Sequence, residues 1–371
     1  MKIQPFRLER HFARYEFSAP YLLCSSDCES LSIADVLALE SGAADEFQSL
    51  WLGYTESAGS PKLRDAIASI YRGITADQVL VHAGAEEAIF NFMNVALEPG
   101  DHIIVHAPYY QSLAEIARSI GADVSEWRGD PANAWALDLD DLSALLQSNT
   151  RLVVVNFPHN PTGYLPDTGF VQSLAHLADT RGFLLFADEV YRGLEHDADD
   201  RLPALCELTA SAVSLGVMSK TYGLAGLRIG WLATQNDDLL RQLAAFKDYT
   251  TICNSAPSEY LATIALRHAD RIVARNLGII RRNLEQLDHF FDEHADRFAW
   301  YRPKAGPISF PTLRNGNVDE FCEALVQDAG VMLLPGTLYE PHSNAFRVGF
   351  GRKNLPEALQ RFADFLARSP Q

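Results

Sequence analysis

Between about residues 79 and 235, short apolar, β-branched runs alternate with longer stretches of helical period. The runs at 79–81, 102–107, 123–127, 152–157, 183–187, 213–218 and 228–233 have the length of strands. The stretches 85–97, 111–120, 139–146 and 170–181 read as helices. Strand and helix in alternation predict a doubly wound, mostly parallel sheet, an α/β fold. Turn signals agree: Pro99, Gly100 and Asp101 separate a helix from a strand, and Gly182 follows a helix before Phe183.

Beyond this block the pattern changes. A charged, largely helical stretch covers about 258–298, followed by short strands near 298–302, 308–312, 331–334 and 346–350 and helices at 318–329 and 355–367. This predicts a smaller α+β C-terminal domain. The chain divides into an N-terminal segment 1–45, which joins the small domain or covers the site, a large domain 46–257, and a linking helix with the small domain 258–371. A chain of 371 residues exceeds what a single core usually fills, in keeping with two domains.

The formal net charge of −17 repels phosphate backbones and anionic lipid, which argues against nucleic-acid and membrane-surface roles. No apolar run approaches a membrane span, and residues 1–14 mix charges with single apolar side chains unlike a signal peptide, so the cytoplasm is the expected location. Five scattered cysteines (Cys24, Cys28, Cys206, Cys253 and Cys322) suit neither a disulfide framework nor zinc-site spacing, and no metal is expected.

The chemistry gathers around Lys220, at the end of the apolar run 213–218 and before a glycine-bearing turn. Taken alone, it reads as a lysine exposed by the turn. With cations nearby its pKa falls, so that the amine can attack an aldehyde and shuttle protons. Arg228, eight residues on, can supply such a cation and grip a phosphate with its planar fork.

The segment 219–231 resembles the class I/II aminotransferases of pyridoxal 5′-phosphate (PLP) fold type I. The resemblance recurs in the family's order along most of the chain: Tyr54 with Gly59, then Gly84-Ala85-Glu86, Pro108-Tyr109-Tyr110, Asn160-Pro161-Thr162-Gly163, Asp188-Glu189-Val190-Tyr191, and Phe346-Arg347. It implies Lys220 as the Schiff-base lysine. The free N–H groups of Ala85 and Glu86, after Gly84, would hold the phosphate at a helix N-terminus. Tyr110, with Tyr109 as its rival, corresponds to the aromatic residue stacked on the pyridine.

Asn160 and Tyr191 correspond to donors to the cofactor's phenolic oxygen, and Asp188 to the carboxylate that keeps the pyridine nitrogen protonated. Glu189 is a rival carboxylate, yet successive strand residues face opposite ways. Arg347, with Arg352 as backup, would bind the substrate α-carboxylate. Tyr54 would reach the phosphate of a neighbouring subunit, which implies a homodimer with shared sites. Here the chain departs from the pattern at Val217, where many members carry a hydroxyl to the phosphate; Ser219 stands on the same strand face and can replace it.

The implied activity is transfer of an amino group between an L-amino acid and a 2-oxo acid. A PLP-dependent lyase is the alternative, or a cyclase like the related capreomycidine synthases, which the segments 23–30 and 219–231 resemble. Asp27 and Glu29 could then recognise a guanidinium group, or be solvated loop acids. Ser60 followed by Pro61 predicts a capped helix start. A PLP-sensing regulator is disfavoured, because the roughly 50 residues before Tyr54 carry no basic helical pair for DNA.

Overall fold

Leu152, Val153, Val154 and Val155 are all completely buried, so the strand they form is covered on both faces, as a parallel sheet between helices requires. The computed structural model describes residues 2–368. The extreme ends of the segments 1–45 and 258–371 lie outside them. Seven strands build the central sheet: β1 (Val79–His82), β2 (His102–Ala107), β3 (Asp123–Arg128), β4 (Thr150–Asn156), β5 (Leu184–Asp188), β6 (Ala212–Val217) and β7 (Gly230–Ala233). Their spatial order is β1-β7-β6-β5-β4-β2-β3.

Strands β2 to β6 run parallel, while β7 is antiparallel to both β6 and β1. The link from β6 to β7 is a turn with one short 3₁₀ segment (Ala225–Leu227) and no crossover helix, so β7 returns in the opposite direction. Lys220 lies in that link, at the carboxyl end of β6. Asn160 and Asp188 follow or end β4 and β5 in the same way. These strand ends form the side of an open α/β sheet where a ligand crevice arises.

A second group of elements follows the 25-residue helix Ala269–Glu293. Strands β8 (Phe298–Ala299) and β10 (Thr312–Leu313) pair, and β9 (Ile308–Ser309), β12 (Phe346–Gly349) and β11 (Leu334–Pro335) form a three-stranded antiparallel sheet. These strands are shorter than the sequence pattern suggests. Pro311 splits the run 308–312 between β9 and β10, since proline lacks the ladder N–H. The helices Val318–Ala329 and Leu355–Arg368 cover this sheet and share one buried core with the helix Ala269–Glu293.

The N-terminal stretch touches both groups. Its helix Arg7–Tyr15 is tied to the start of the helix Ser112–Ile120 by the Arg7 N–H donating to Gln111 at 2.9 Å. Its other tie is the Tyr15 phenol donating to Glu323 at 2.5 Å. Further on, the Met332 N–H donates to the Tyr21 carbonyl at 2.8 Å, and the Gly349 N–H to Leu23, also at 2.8 Å. Ser60 begins the helix Pro61–Ala68, but its side chain makes no capping hydrogen bond. Its backbone N–H donates to Glu259 instead, at 3.1 Å, and Pro61 takes the first helical position, where no N–H is needed. Among the described residues no helix is long and apolar enough to cross a membrane.

Candidate active site

A cavity of about 440 Å³ opens at the carboxyl ends of β4, β5 and β6, between the large sheet and β12. Of the residues singled out in the sequence, it is lined by Ala85, Glu86, Tyr110, Asn160 and Asp188, and further by Tyr191, Ser219, Lys220, Arg228 and Arg347. Val217 also lines it, beside Ser219.

At one end, Gly84 precedes the helix Ala85–Ala96 with φ of 87°, a conformation that favours glycine. A Cβ on Gly84 would stand 2.6 Å from Arg228 Nη2, and one on Gly230 would stand 2.7 Å from the Gly84 carbonyl carbon. These two glycines let the β7 backbone and the Arg228 guanidinium close on a helix N-terminus whose first N–H groups have no intrahelical acceptor. Arg228 itself adopts φ of 51°, a left-handed conformation that is strained for an arginine, and makes no ion pair among the described residues. An anion is the natural occupant of that end.

In the middle, the Asp188 carboxylate accepts from the Val190 N–H at 3.2 Å, and burial pushes its pKa up to about 7. Lys220 donates from Nζ to the Ser26 hydroxyl at 2.8 Å. Its pKa is lowered, chiefly by burial; the Arg347 charge adds to this, against Asp27 and Asp188. The Tyr191 hydroxyl is buried beside Ser26 without a hydrogen bond of acceptable geometry, and burial raises its pKa. An orphaned buried hydroxyl costs about 1–3 kcal/mol unless something meets it.

At the far end, Arg347 is 2% exposed. Its Nε and Nη2 donate to the Cys24 carbonyl at 3.0 and 2.8 Å, and Nη1 donates to the Tyr339 phenol at 2.6 Å and the Asn160 carboxamide oxygen at 3.2 Å. All these partners are neutral. A buried guanidinium without a carboxylate is electrostatically incomplete, and a substrate carboxylate would complete it.

The remaining sequence expectations divide. Of the two tyrosines it is Tyr110 that faces the cavity; Tyr109 is held outside, donating to Glu126 at 2.9 Å and accepting from Arg118 at 3.0 Å. Arg352 and Asp27 both line the cavity, but they are paired with each other through two hydrogen bonds of 3.1 and 2.9 Å. Glu29 does not reach it, because its carboxylate accepts from the Lys353 N–H at 3.0 Å outside the lining. Tyr54 is 85% exposed and lies away from the cavity, beside exposed Trp51 and Leu52. Sequence reasoning missed Tyr339, Ser26, and Glu9 and Glu16 of the N-terminal stretch, all but Tyr339 in the cavity wall. Only Ser26 had a signal, since it stands within the segment 23–30.

The residues present fit PLP: an anion cradle at Gly84 and Arg228, a carboxylate for a ring nitrogen, an orphaned phenol for a ring oxygen, and a depressed lysine. Comparison with known proteins agrees. The family described as aminotransferase class I and II matches residues 22–363. Capreomycidine synthase of Streptomyces vinaceus is 32% identical over 359 residues, 94% of this chain and 90% of that protein. A PLP-dependent aminotransferase from Streptococcus suis superposes with a TM-score of 0.94 at 31% identity, covering 100% of both chains. The PLP-dependent cyclase OrfR does so with a TM-score of 0.91 at 29% identity, covering 99% of this chain and 98% of that one. The chain belongs to the class I and II aminotransferase family, and it is a PLP-dependent enzyme of fold type I.

Proposed function

We propose that the enzyme acts at the α-carbon of an L-amino acid and transfers its amino group to a 2-oxo acid. The observation that carries this reading is the buried guanidinium of Arg347, which lacks a carboxylate partner among the described residues and lines the same cavity as the amine of Lys220. In this reading Lys220 holds the cofactor covalently, Asp188 pairs with its ring nitrogen, and Asn160 and Tyr191 meet its phenolic oxygen. Tyr110 would lie against the ring. Gly84, Ala85, Glu86, Ser219 and Arg228 would hold its phosphate.

PLP supplies an aldehyde that joins to amines and a ring that withdraws electrons from the substrate α-carbon. The protein supplies the rest. Arg347 fixes the substrate carboxylate, which orients the Cα–H bond toward Lys220. Lys220 Nζ, whose lowered pKa leaves more of it neutral, takes that proton. The helix Arg7–Tyr15 contributes Leu8 and Phe12 to the wall and limits the access of water.

A second reading has its own support. Glu9 and Glu16 line the cavity beside the Asp27–Arg352 pair, and these two acids suit a substrate with a cationic side chain; capreomycidine synthase is a full-length relative. Elimination or cyclisation shares the first proton removal and parts from aminotransfer afterwards. In aminotransfer the nitrogen stays with the enzyme until a 2-oxo acid collects it; in the alternative a group departs from the substrate side chain.

A homodimer with composite sites belongs to the same proposal. Tyr54 is 85%, Trp51 77% and Tyr249 90% exposed, an apolar surface that a second subunit would cover.

A single-turnover experiment tests the chemistry. Mixing the holoenzyme with a reactive amino acid should abolish the visible absorbance with one equivalent of 2-oxo acid released, and a second 2-oxo acid should restore it. Persistent visible absorbance, with ammonia or a cyclic amino acid as product, would replace aminotransfer by the second reading.

A further inference from the structure

The segment from Leu23 to Glu29 is laid along β12 and the residues that follow it, and is fastened there at Leu23, Cys24, Asp27 and Glu29. Leu23 accepts from the Gly349 N–H at 2.8 Å, the Cys24 carbonyl takes two N–H groups of Arg347, and Asp27 holds Arg352. The Glu29 N–H donates to the Gly351 carbonyl at 2.8 Å. Gly349 and Gly351 permit this approach, because a Cβ on either would collide with the Ser25 or Asp27 carbonyl. Ser26 stands between these attachments and turns the other way, accepting from Lys220 Nζ of the large domain at 2.8 Å.

We propose that Ser26 is a catalytic residue. It rests on the reading of Lys220 as the cofactor lysine and proton acceptor, and adds what stabilises the proton once it is taken. When Lys220 removes the substrate proton, the Cα–H bond breaks, its electron pair stays with the substrate framework, and a new N–H bond forms on Nζ. A neutral amine thereby becomes an ammonium in a buried cavity beside the Arg347 charge. Such a cation needs acceptors. Ser26 Oγ already accepts from Nζ at 2.8 Å, and it neither gains nor loses a proton in the step.

The attachments give Ser26 a second quality. Cys24, two residues before it, is the backbone anchor of the Arg347 guanidinium, so the carboxylate clamp and the acceptor for Lys220 sit on one short strap. A substrate gripped by Arg347 is thus indexed to the base that attacks it.

Ser26→Ala and Ser26→Thr test this. Exchange of the substrate α-proton in D2O precedes the divergence of aminotransfer and cyclisation, so it reads the step whichever reaction follows. With L-aspartate or L-arginine, whichever exchanges in wild type, Ser26→Ala should slow exchange roughly 10-fold or more, the scale of a lost hydrogen bond to a charged group. Ser26→Thr should recover most of it. The pH titration of the holoenzyme's visible absorbance should shift to lower pH in Ser26→Ala and return in Ser26→Thr. Wild-type exchange and an unmoved titration in Ser26→Ala would overturn the role of Ser26. Borohydride reduction and peptide mapping of wild type keep the two readings apart: a label on Lys220 leaves only Ser26 in question, and a label elsewhere overturns the cofactor lysine and the Ser26 role with it.

Discussion

Asp188 and Glu189, neighbours in sequence, serve opposite faces of the central sheet. The Asp188 carboxylate lines the cavity, whereas that of Glu189 turns away, accepting from the Ser214 hydroxyl at 2.9 Å and the Leu205 N–H at 2.8 Å. Both are buried and both have pKa values pushed up to about 7 by that burial. In the proposed reading the perturbation of Asp188 serves a cofactor, whereas that of Glu189 only loads the fold.

The load on Glu189 predicts a pH dependence of stability. Its folded pKa of about 7 lies above the roughly 4.3 of an unfolded glutamate. The folded state therefore holds a proton that the unfolded state has released, and stability falls as pH rises from about 4.3 to about 7. Glu189→Gln removes this dependence. In the holoenzyme, the thermal midpoint of the variant relative to wild type should rise between pH 5 and pH 8, by the equivalent of about 1–3 kcal/mol. A difference that stays flat across this range would show that Glu189 is ionised throughout.

Loss of the proposed carboxylate clamp should act on substrate and spare the cofactor. Arg347→Ala is expected to raise KM for amino acids about 10- to 100-fold, the scale of one bidentate charge-assisted contact, with unchanged visible absorbance and PLP affinity. Arg347→Lys should recover little, because an ammonium lacks the planar fork. The thermal midpoint of each variant checks that the Cys24 strap still docks. Unaltered KM in a stably folded Arg347→Ala would move the carboxylate contact to another cation.

Tyr54 lies outside the cavity of its own chain, so a role at the phosphate requires a partner subunit. Tyr54→Phe should weaken PLP binding, and a more severe Tyr54→Ala should be largely inactive, as should Lys220→Ala. After subunit exchange, a mixture of the last two should recover up to about a quarter of wild-type activity, because one of the two sites in each hybrid dimer has both native residues. Exchange proven by mass spectrometry without any recovery would rule out shared sites.

Much of this site was legible before the fold. Lys220, Asp188, Asn160 and Gly84 stand at the ends of apolar runs whose period announces strands, and Arg347 lies within one. Local chemistry is enough to mark such positions, since a charge or a glycine there has few structural uses. The choice between Asp188 and Glu189 could be anticipated only as far as their facing opposite ways. Tyr339 carried no mark at all: it sits beside a short 3₁₀ turn (Gly336–Leu338), and its tie to Arg347 joins side chains eight residues apart that only folding brings together.

By itself the sequence determined the α/β alternation, the family and the residues at the strand ends, because period and local chemistry are properties of neighbours along the chain. The tertiary structure decided the antiparallel return of β7, the turn of Tyr110 rather than Tyr109 toward the cavity, and the pairing of Asp27 with Arg352. It also brought the strap from Leu23 to Glu29 against Arg347, more than 300 residues away, and so placed Ser26 on Lys220. Such contacts are set by which surfaces bury one another, and burial is decided by the whole chain rather than by any segment of it.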